Sequence, residues 1–316
     1  MKSAFFFSVI LLPFFVDAQT ITENNYKIYS VKLQKEVPLS TIISDMANYD
    51  VLFYGEQHND SVTHYLEKTI FEMMYAQYNS NLALSMEMFE RDVQPVMNEY
   101  LSGFIREKNF KKDARVWSNY TDYRPMIEFA KEKKLNVVCA NAASRYTNLA
   151  GRKGESELMK LPKESKLNFA PLPYDTASGA YHDKLMEMSG HSMTPTAPTT
   201  TTIADTTKVQ APPMMMMGNF NLVVAQSLWD ATMAYSIAEY RKKNSGKKIM
   251  QVNGRFHSDE GFAVVTQLKH YSPKTKALII STGSDDTFPN INWNLFKNLG
   301  DYIIITDPKV PVTYED

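Results

Sequence analysis

The sequence predicts an α/β fold, with a mainly parallel central sheet flanked by helices and a helical insertion subdomain. Three observations carry this. Runs such as Val51–Tyr54 and Val137–Ala140 are apolar almost throughout, as strands covered on both faces are. They alternate with segments of helical length and spacing, the pattern of right-handed βαβ units. Where the strands stop, short polar sequences follow: Gly55-Glu56-Gln57-His58, Glu87 with Glu90-Arg91-Asp92, Asn141, and Asn253-Gly254-Arg255-Phe256-His257.

The elements follow in order. Met1-Lys2, the apolar run Ala4–Val16 and the small-residue site Val16-Asp17-Ala18 have the three parts of a secretory signal peptide, so residues 1–18 are expected to be removed before Gln19. The run is too short for a comfortable membrane span, and no cysteine stands at the cleavage site to accept a lipid anchor. An exported protein, periplasmic or associated with the outer membrane, is the expectation. Tyr26–Lys35 reads as a strand or hairpin and Leu39–Asn48 as a helix. Val51–Tyr54 is a strand, and Asp60–Tyr78 a helix with Val62, Leu66, Ile70 and Met74 on one stripe. Leu82–Met88 is the next strand. Helices follow over Asp92–Leu101, Ile105–Asp113 and Tyr123–Lys133, the last with Pro125 in its first turn. Val137–Ala140 is the third strand of the series.

The alternation then pauses. Leu161–Tyr174 is rich in proline and turn residues, His182–Ser189 is a short helix, and Ser192–Pro213 is a Thr/Pro/Ala tract expected to form a flexible loop. Asn219–Lys243 is a long helix. Strand Lys248–Val252, helix Asp259–Leu268 and strands Ala277–Thr282 and Asp301–Thr306 complete the chain. Residues 19–316 therefore read as one α/β domain with a helical insertion at about 161–243.

The 316 residues, 44% of them apolar, can bury one large core or two modest ones. A net charge of −1 and the lack of a basic stripe exclude nucleic acid as a partner. Cys139, the single cysteine, allows no intramolecular disulfide and no Cys-x-x-Cys-His haem attachment.

Ligands of open α/β sheets bind outside the carboxyl ends of the strands, so Glu56, His58, Glu87 and His257 are expected in one cleft. Two carboxylates and two imidazoles suit general-base chemistry or a divalent metal, with Glu56, His58 and His257 as the metal set. Arg91 and Arg255 could hold an anionic substrate group bidentately. A strand-end histidine taken singly is more often a hydrogen-bonded structural residue.

Several blocks resemble the ChaN-like proteins, haem-binding proteins linked to bacterial iron uptake. They are V-L-F-Y-G-E-Q-H at Val51–His58, S-M-E-M-F-E-R-D-V-Q-P at Ser85–Pro95, and T-D-Y-R-P-M-I-E-F at Thr121–Phe129. Ala140–Ala142, A-Q-S-L-W-D-A-T-M at Ala225–Met233 and V-N-G-R-F-H-S at Val252–Ser258 complete the set. The resemblance extends to the Tiki/TraB group and the erythromycin esterases, in which Gly55, Glu56, His58, Glu87 and His257 match positions of hydrolase or metal sites. It implies a non-covalent haem in the insertion, shared with a second subunit, with tyrosine on the iron and outer-membrane haem or iron transport components as partners. Tyr174, Tyr181, His182 and His191 are the donors there, Tyr181-His182 being the favoured pair. Met214–Met217 reads as pliable packing. A haem-uptake protein is the first expectation, a metal-dependent hydrolase the alternative, and a partner-binding module the third.

Overall fold

An eight-stranded sheet runs through the computed structural model, which describes residues 20–188 and 220–314. The expected signal peptide, the 192–213 tract, His191 and Met214–Met217 lie outside the described residues. In chain order the elements begin with β1 (Tyr26–Ser30), β2 (Lys35–Glu36), α1 (Leu39–Asp45), β3 (Val51–Glu56), α2 (Ser61–Tyr78) and β4 (Leu82–Glu90). Then come α3 (Gln94–Leu101), α4 (Glu107–Asp113), α5 (Tyr120–Glu132), β5 (Asn136–Asn141), α6 (Ser144–Lys153), α7 (Glu155–Met159), α8 (Lys163–Lys166) and α9 (Gly179–Met188). The remainder is α10 (Leu222–Lys243), β6 (Lys248–Gly254), α11 (Ala263–Tyr271), β7 (Ala277–Ser284) and β8 (Tyr302–Thr306).

Across the sheet the order is β2-β1-β8-β7-β3-β6-β4-β5. β1 runs antiparallel to β2 and β8, and all other pairings are parallel. β6 therefore lies between β3 and β4, pairing Glu56 with Gly254 on one side and Met86 with Val252 on the other. Alternate residues feed two cores, as the period of two requires. Leu52, Tyr54, Met250 and Val252 join α2 and α5 on one face, and Val51, Phe53 and Ile249 join α10 and α11 on the other.

Four boundaries differ from expectation. Helices begin at Ser144 rather than after residue 161, because α6 buries little more than Tyr146, Thr147, Ala150 and Gly151 and so shows no long apolar stripe. α5 starts three residues early and carries Pro125 in its interior. The amide that proline lacks would have bonded the carbonyl of exposed Thr121, which water can satisfy. α9 starts at Gly179, taking in Tyr181. The helix expected from Asp259 starts at Ala263, after two 3-10 turns that include Glu260 at φ 61°. Among the described residues, no helix is long and apolar enough to cross a membrane.

Candidate functional site

Three adjacent strands, β3, β6 and β4, end side by side and put their last residues into one buried polar cluster. Gly55 is required there by close approach. A Cβ would stand 2.8 Å from Ser258 Oγ, 3.0 Å from Arg255 Cα and 3.1 Å from the Ile280 carbonyl oxygen. Glu56, fully buried, accepts from the Tyr123 hydroxyl at 2.6 Å through Oε1, which also lies 2.5 Å from His58 Nδ1. His58 packs edge-on against Trp117, ring centroids 5.4 Å apart.

α2 brings two further groups. Asp60 caps the helix by accepting from the amides of Val62 and Thr63 at 2.8 and 3.0 Å. That sets His64 and Glu67, three residues apart, on the inner face. His64 Nε2 donates to the His58 carbonyl at 2.9 Å, while Nδ1 lies 3.1 Å from Glu67 Oε2 and 3.7 Å from Glu56 Oε2. Glu56 Oε2 and Glu67 Oε1 are buried with no hydrogen-bond donor among the described residues.

A second string of groups runs from β4 to the helices. Glu87 sits where the register of β4 against β5 shifts, between Met86 and Glu90. Irregularities of this kind re-aim a side chain. Its Oε2 accepts from the Gly254 amide at 2.8 Å and its Oε1 is 3.4 Å from His257 Nε2. His257 Nδ1 is 2.6 Å from Asp230 Oδ1, and Asp230 Oδ2 accepts from the Tyr181 hydroxyl at 2.6 Å. The two strings meet at Gly254, where a Cβ would stand 2.8 Å from His58 Nε2 and 3.7 Å from Glu87 Oε2.

Burial and charge oppose each other throughout the cluster. Burial lowers His64 and His257, but the carboxylates around them win: Glu67 first, then Glu56, push His64 up to about 10, and Glu87 with Asp230 push His257 up to about 10. Burial raises Glu56, yet Glu67 and His58 bring it down to about 2. Glu67, raised by burial and then by the Glu56 charge, stays well above the carboxylate range. Burial also raises Asp230, and burial with the Asp230 charge keeps the Tyr181 phenol protonated well past its ordinary range.

The structure brings together Glu56, His58, Glu87 and His257, as their positions at strand ends suggested. The metal set differs. Among the described residues, the group whose ligand atoms all lie within 4.8 Å of one another is Glu56, His64 and Glu67, not Glu56, His58 and His257. The cause is the orientation of His257, which lies beyond Glu87 and is turned toward Asp230. Neither arginine faces an open anion site. Arg91 donates to the Leu167 carbonyl, Ser236 and Glu239, and Arg255 is paired with Asp259 at 2.7 Å. Tyr174 is buried and donates to the Val224 carbonyl at 3.0 Å, and Tyr181 is buried on Asp230, so both phenols have protein partners. His182 is half-exposed, with its Nδ1 3.4 Å from Asp183 Oδ1. Asn141 bonds the next amide, and Asn253 donates to Ser258 and the Gly254 carbonyl; both serve local turns. His64, Glu67, Tyr123 and Asp230 escaped the sequence reading. For His64, Glu67 and Asp230 the available signal was a titratable residue on an apolar helical stripe.

The sequence profile of a family described as haem-binding uptake, Tiki superfamily, ChaN, matches residues 42–268. A solved structure described as cofacial heme binding to ChaN of Campylobacter jejuni superimposes with a TM-score of 0.62 at 14% identity, covering 90% of this chain and 98% of that one. The type III effector HopBA1 follows at a TM-score of 0.42 and 10% identity, over 85% of this chain and 93% of that one. No curated protein sequence matches the chain.

Proposed function

Because the chain belongs to the ChaN family of haem-binding uptake proteins in the Tiki superfamily, we propose that it is an exported haem-binding protein of iron acquisition. The observation that carries this reading is the family match itself, which spans both the strand-end cluster and the helices between β5 and β6. The haem is held without a covalent bond, since Cys139, the single cysteine, is buried within β5. Two copies of the chain supply facing haem sites, in keeping with the cofacial binding named for the Campylobacter jejuni protein. Outer-membrane haem or iron transport components are the natural exchange partners.

The surface at α9 fits such a ligand. His182 and Met186 lie on one face of that helix, four residues apart, and both are partly exposed. Partly exposed Phe256 and Phe262 stand 5.7 and 6.3 Å from the Tyr181 ring, supplying apolar surface nearby. The Asp183 carboxylate beside His182 Nδ1 favours Nε2 as the metal-facing nitrogen. Bound haem brings ferric or ferrous iron that an imidazole can ligate. His182 is the ligand that this surface supports, and Tyr181 is the support beneath it.

Haemin titration of the mature protein tests this. A Soret band should appear at one haem per chain. His182→Ala should weaken binding about tenfold or more, roughly 1.4 kcal/mol, and Tyr181→Phe should do less. A wild-type protein that gives no Soret shift ends the reading, and a spectrum altered only by Tyr181→Phe moves the ligand to the phenol.

A metal-dependent hydrolase at the strand ends is the second reading, favoured by the His58–Glu56 pair, which joins an imidazole to a carboxylate as general bases do, with His257 held as a cation by Glu87 and Asp230. Their burial, at no more than 8% exposure each, weighs against substrate access. Hydrolysis that is lost on His58→Ala while haem binding survives would select it.

A further inference from the structure

We propose that Glu56, His64 and Glu67 form a binding site for a divalent first-row transition ion, zinc or manganese, beneath the strand-end cluster and independent of haem. One ligand atom from each lies within 4.8 Å of the other two, and none of the three side chains is more than slightly exposed. The site is defined by what its atoms lack. Glu56 Oε2 and Glu67 Oε1 are buried acceptors with no donor among the described residues. Two carboxylates cannot hydrogen-bond each other, so the space between them requires a proton or a cation.

The imidazole favours the cation. His64 gives its Nε2 hydrogen to the His58 carbonyl at 2.9 Å, which leaves Nδ1 facing both carboxylates, 3.1 Å from Glu67 Oε2 and 3.7 Å from Glu56 Oε2. Metal-ligating histidines are held in this way, with the far nitrogen donating to a backbone carbonyl. Glu56 is held as well. Its other oxygen takes the Tyr123 hydroxyl at 2.6 Å and lies 2.5 Å from His58 Nδ1, so Oε2 is fixed toward His64. A dication would neutralise the two carboxylates with the imidazole neutral. Two oxygens and one nitrogen, with no thiolate, suit zinc or manganese and not a soft ion. Three protein donors leave room for a fourth ligand.

The test uses haem-free mature protein, unfolded with chelator and refolded with one equivalent of zinc or manganese. The expected result is one ion per chain by mass analysis, a rise in Tm over the metal-free protein, and an affinity at least tenfold weaker in the isosteric Glu67→Gln. Should that variant not fold, X-ray absorption of the zinc-loaded wild type decides: one nitrogen and two carboxylate oxygens from protein, without sulfur, supports the site. Refolded wild type that takes up neither ion overturns the proposal, the gap then being filled by protons. An ion kept by Glu67→Gln and lost by Glu87→Gln overturns it too, because the metal then lies beside His257.

Discussion

Gly254 stands opposite Glu56 across the β6–β3 pairing, and the space that its missing side chain leaves is taken by the His58 ring. Gly254→Ala should therefore displace a movable imidazole, whereas Gly55→Ala drives a Cβ against two backbone segments that cannot yield. Overpacking of that kind costs about 1–3 kcal/mol. Urea titration should show the larger loss for Gly55→Ala. His257→Asn removes the cation between Glu87 and Asp230, and breaking a buried pair by one partner costs roughly 3–5 kcal/mol. The pH dependence has a defined sign. The His257 pKa in the folded protein, about 10, lies above its ordinary 6.5. Its contribution is complete below pH 6.5 and is lost as pH rises through about 10. Chemical denaturation between those values should show a decline in stability that His257→Asn flattens. Glu56, His58, Glu87 and His257 were legible because each stands just past an apolar strand. His64, Glu67 and Asp230 were not, because they sit on helical stripes where only the tertiary fold decides whether a charge meets water or a partner.

α2 does more than cover the sheet: its first turn fixes the height of His64 and Glu67 against β3. Asp60 controls that turn twice, capping it and accepting the Thr306 hydroxyl from β8 through its other oxygen. Asp60→Ala should cost about 1–2 kcal/mol for the cap alone. Thermal melts that show no loss would mean that the sheet, not the cap, positions the helix. The long strands and α2, α10 and α11 could be read from period and length. α6 and α7 could not, for their buried faces are small and include Gly151, whose Cβ position is filled by the Phe220 ring at 2.3 Å. The start of α5 was hidden by Pro125, which read as a first-turn residue and proved to be an interior one. Local signals place a proline at a helix start by preference, and tertiary packing of Tyr120 and Tyr123 overrode that preference.

For the molecule as a whole, export and haem-linked pairing make separate predictions. N-terminal sequencing of extracytoplasmic protein should begin at Gln19, and retained Met1 would refute processing. Light scattering should show the mass doubling on haem addition if facing haems join two copies. The α/β class was legible from alternation alone, but the neighbour relations of the strands were not, since pairing partners far apart in sequence leave no local trace. Those neighbour relations also govern when the chain can assemble. Among the described residues β3 pairs with β6 and β7, and β4, which meets β5 on one side, gains its second neighbour only when β6 is made. While the first two thirds of the chain are being synthesised, the strand that bears Glu56 has nothing to pair with. A fragment ending at residue 245, which keeps the β1–β2 and β4–β5 pairs but has no partner for β3, should give a weaker strand signal by circular dichroism than the full chain, and refolding of the full chain should be slow, as long-range parallel pairing makes it. On the proposed export, a strand order that leaves β3 unpaired until the last quarter of the chain is made would keep the polypeptide open to threading through a secretion channel.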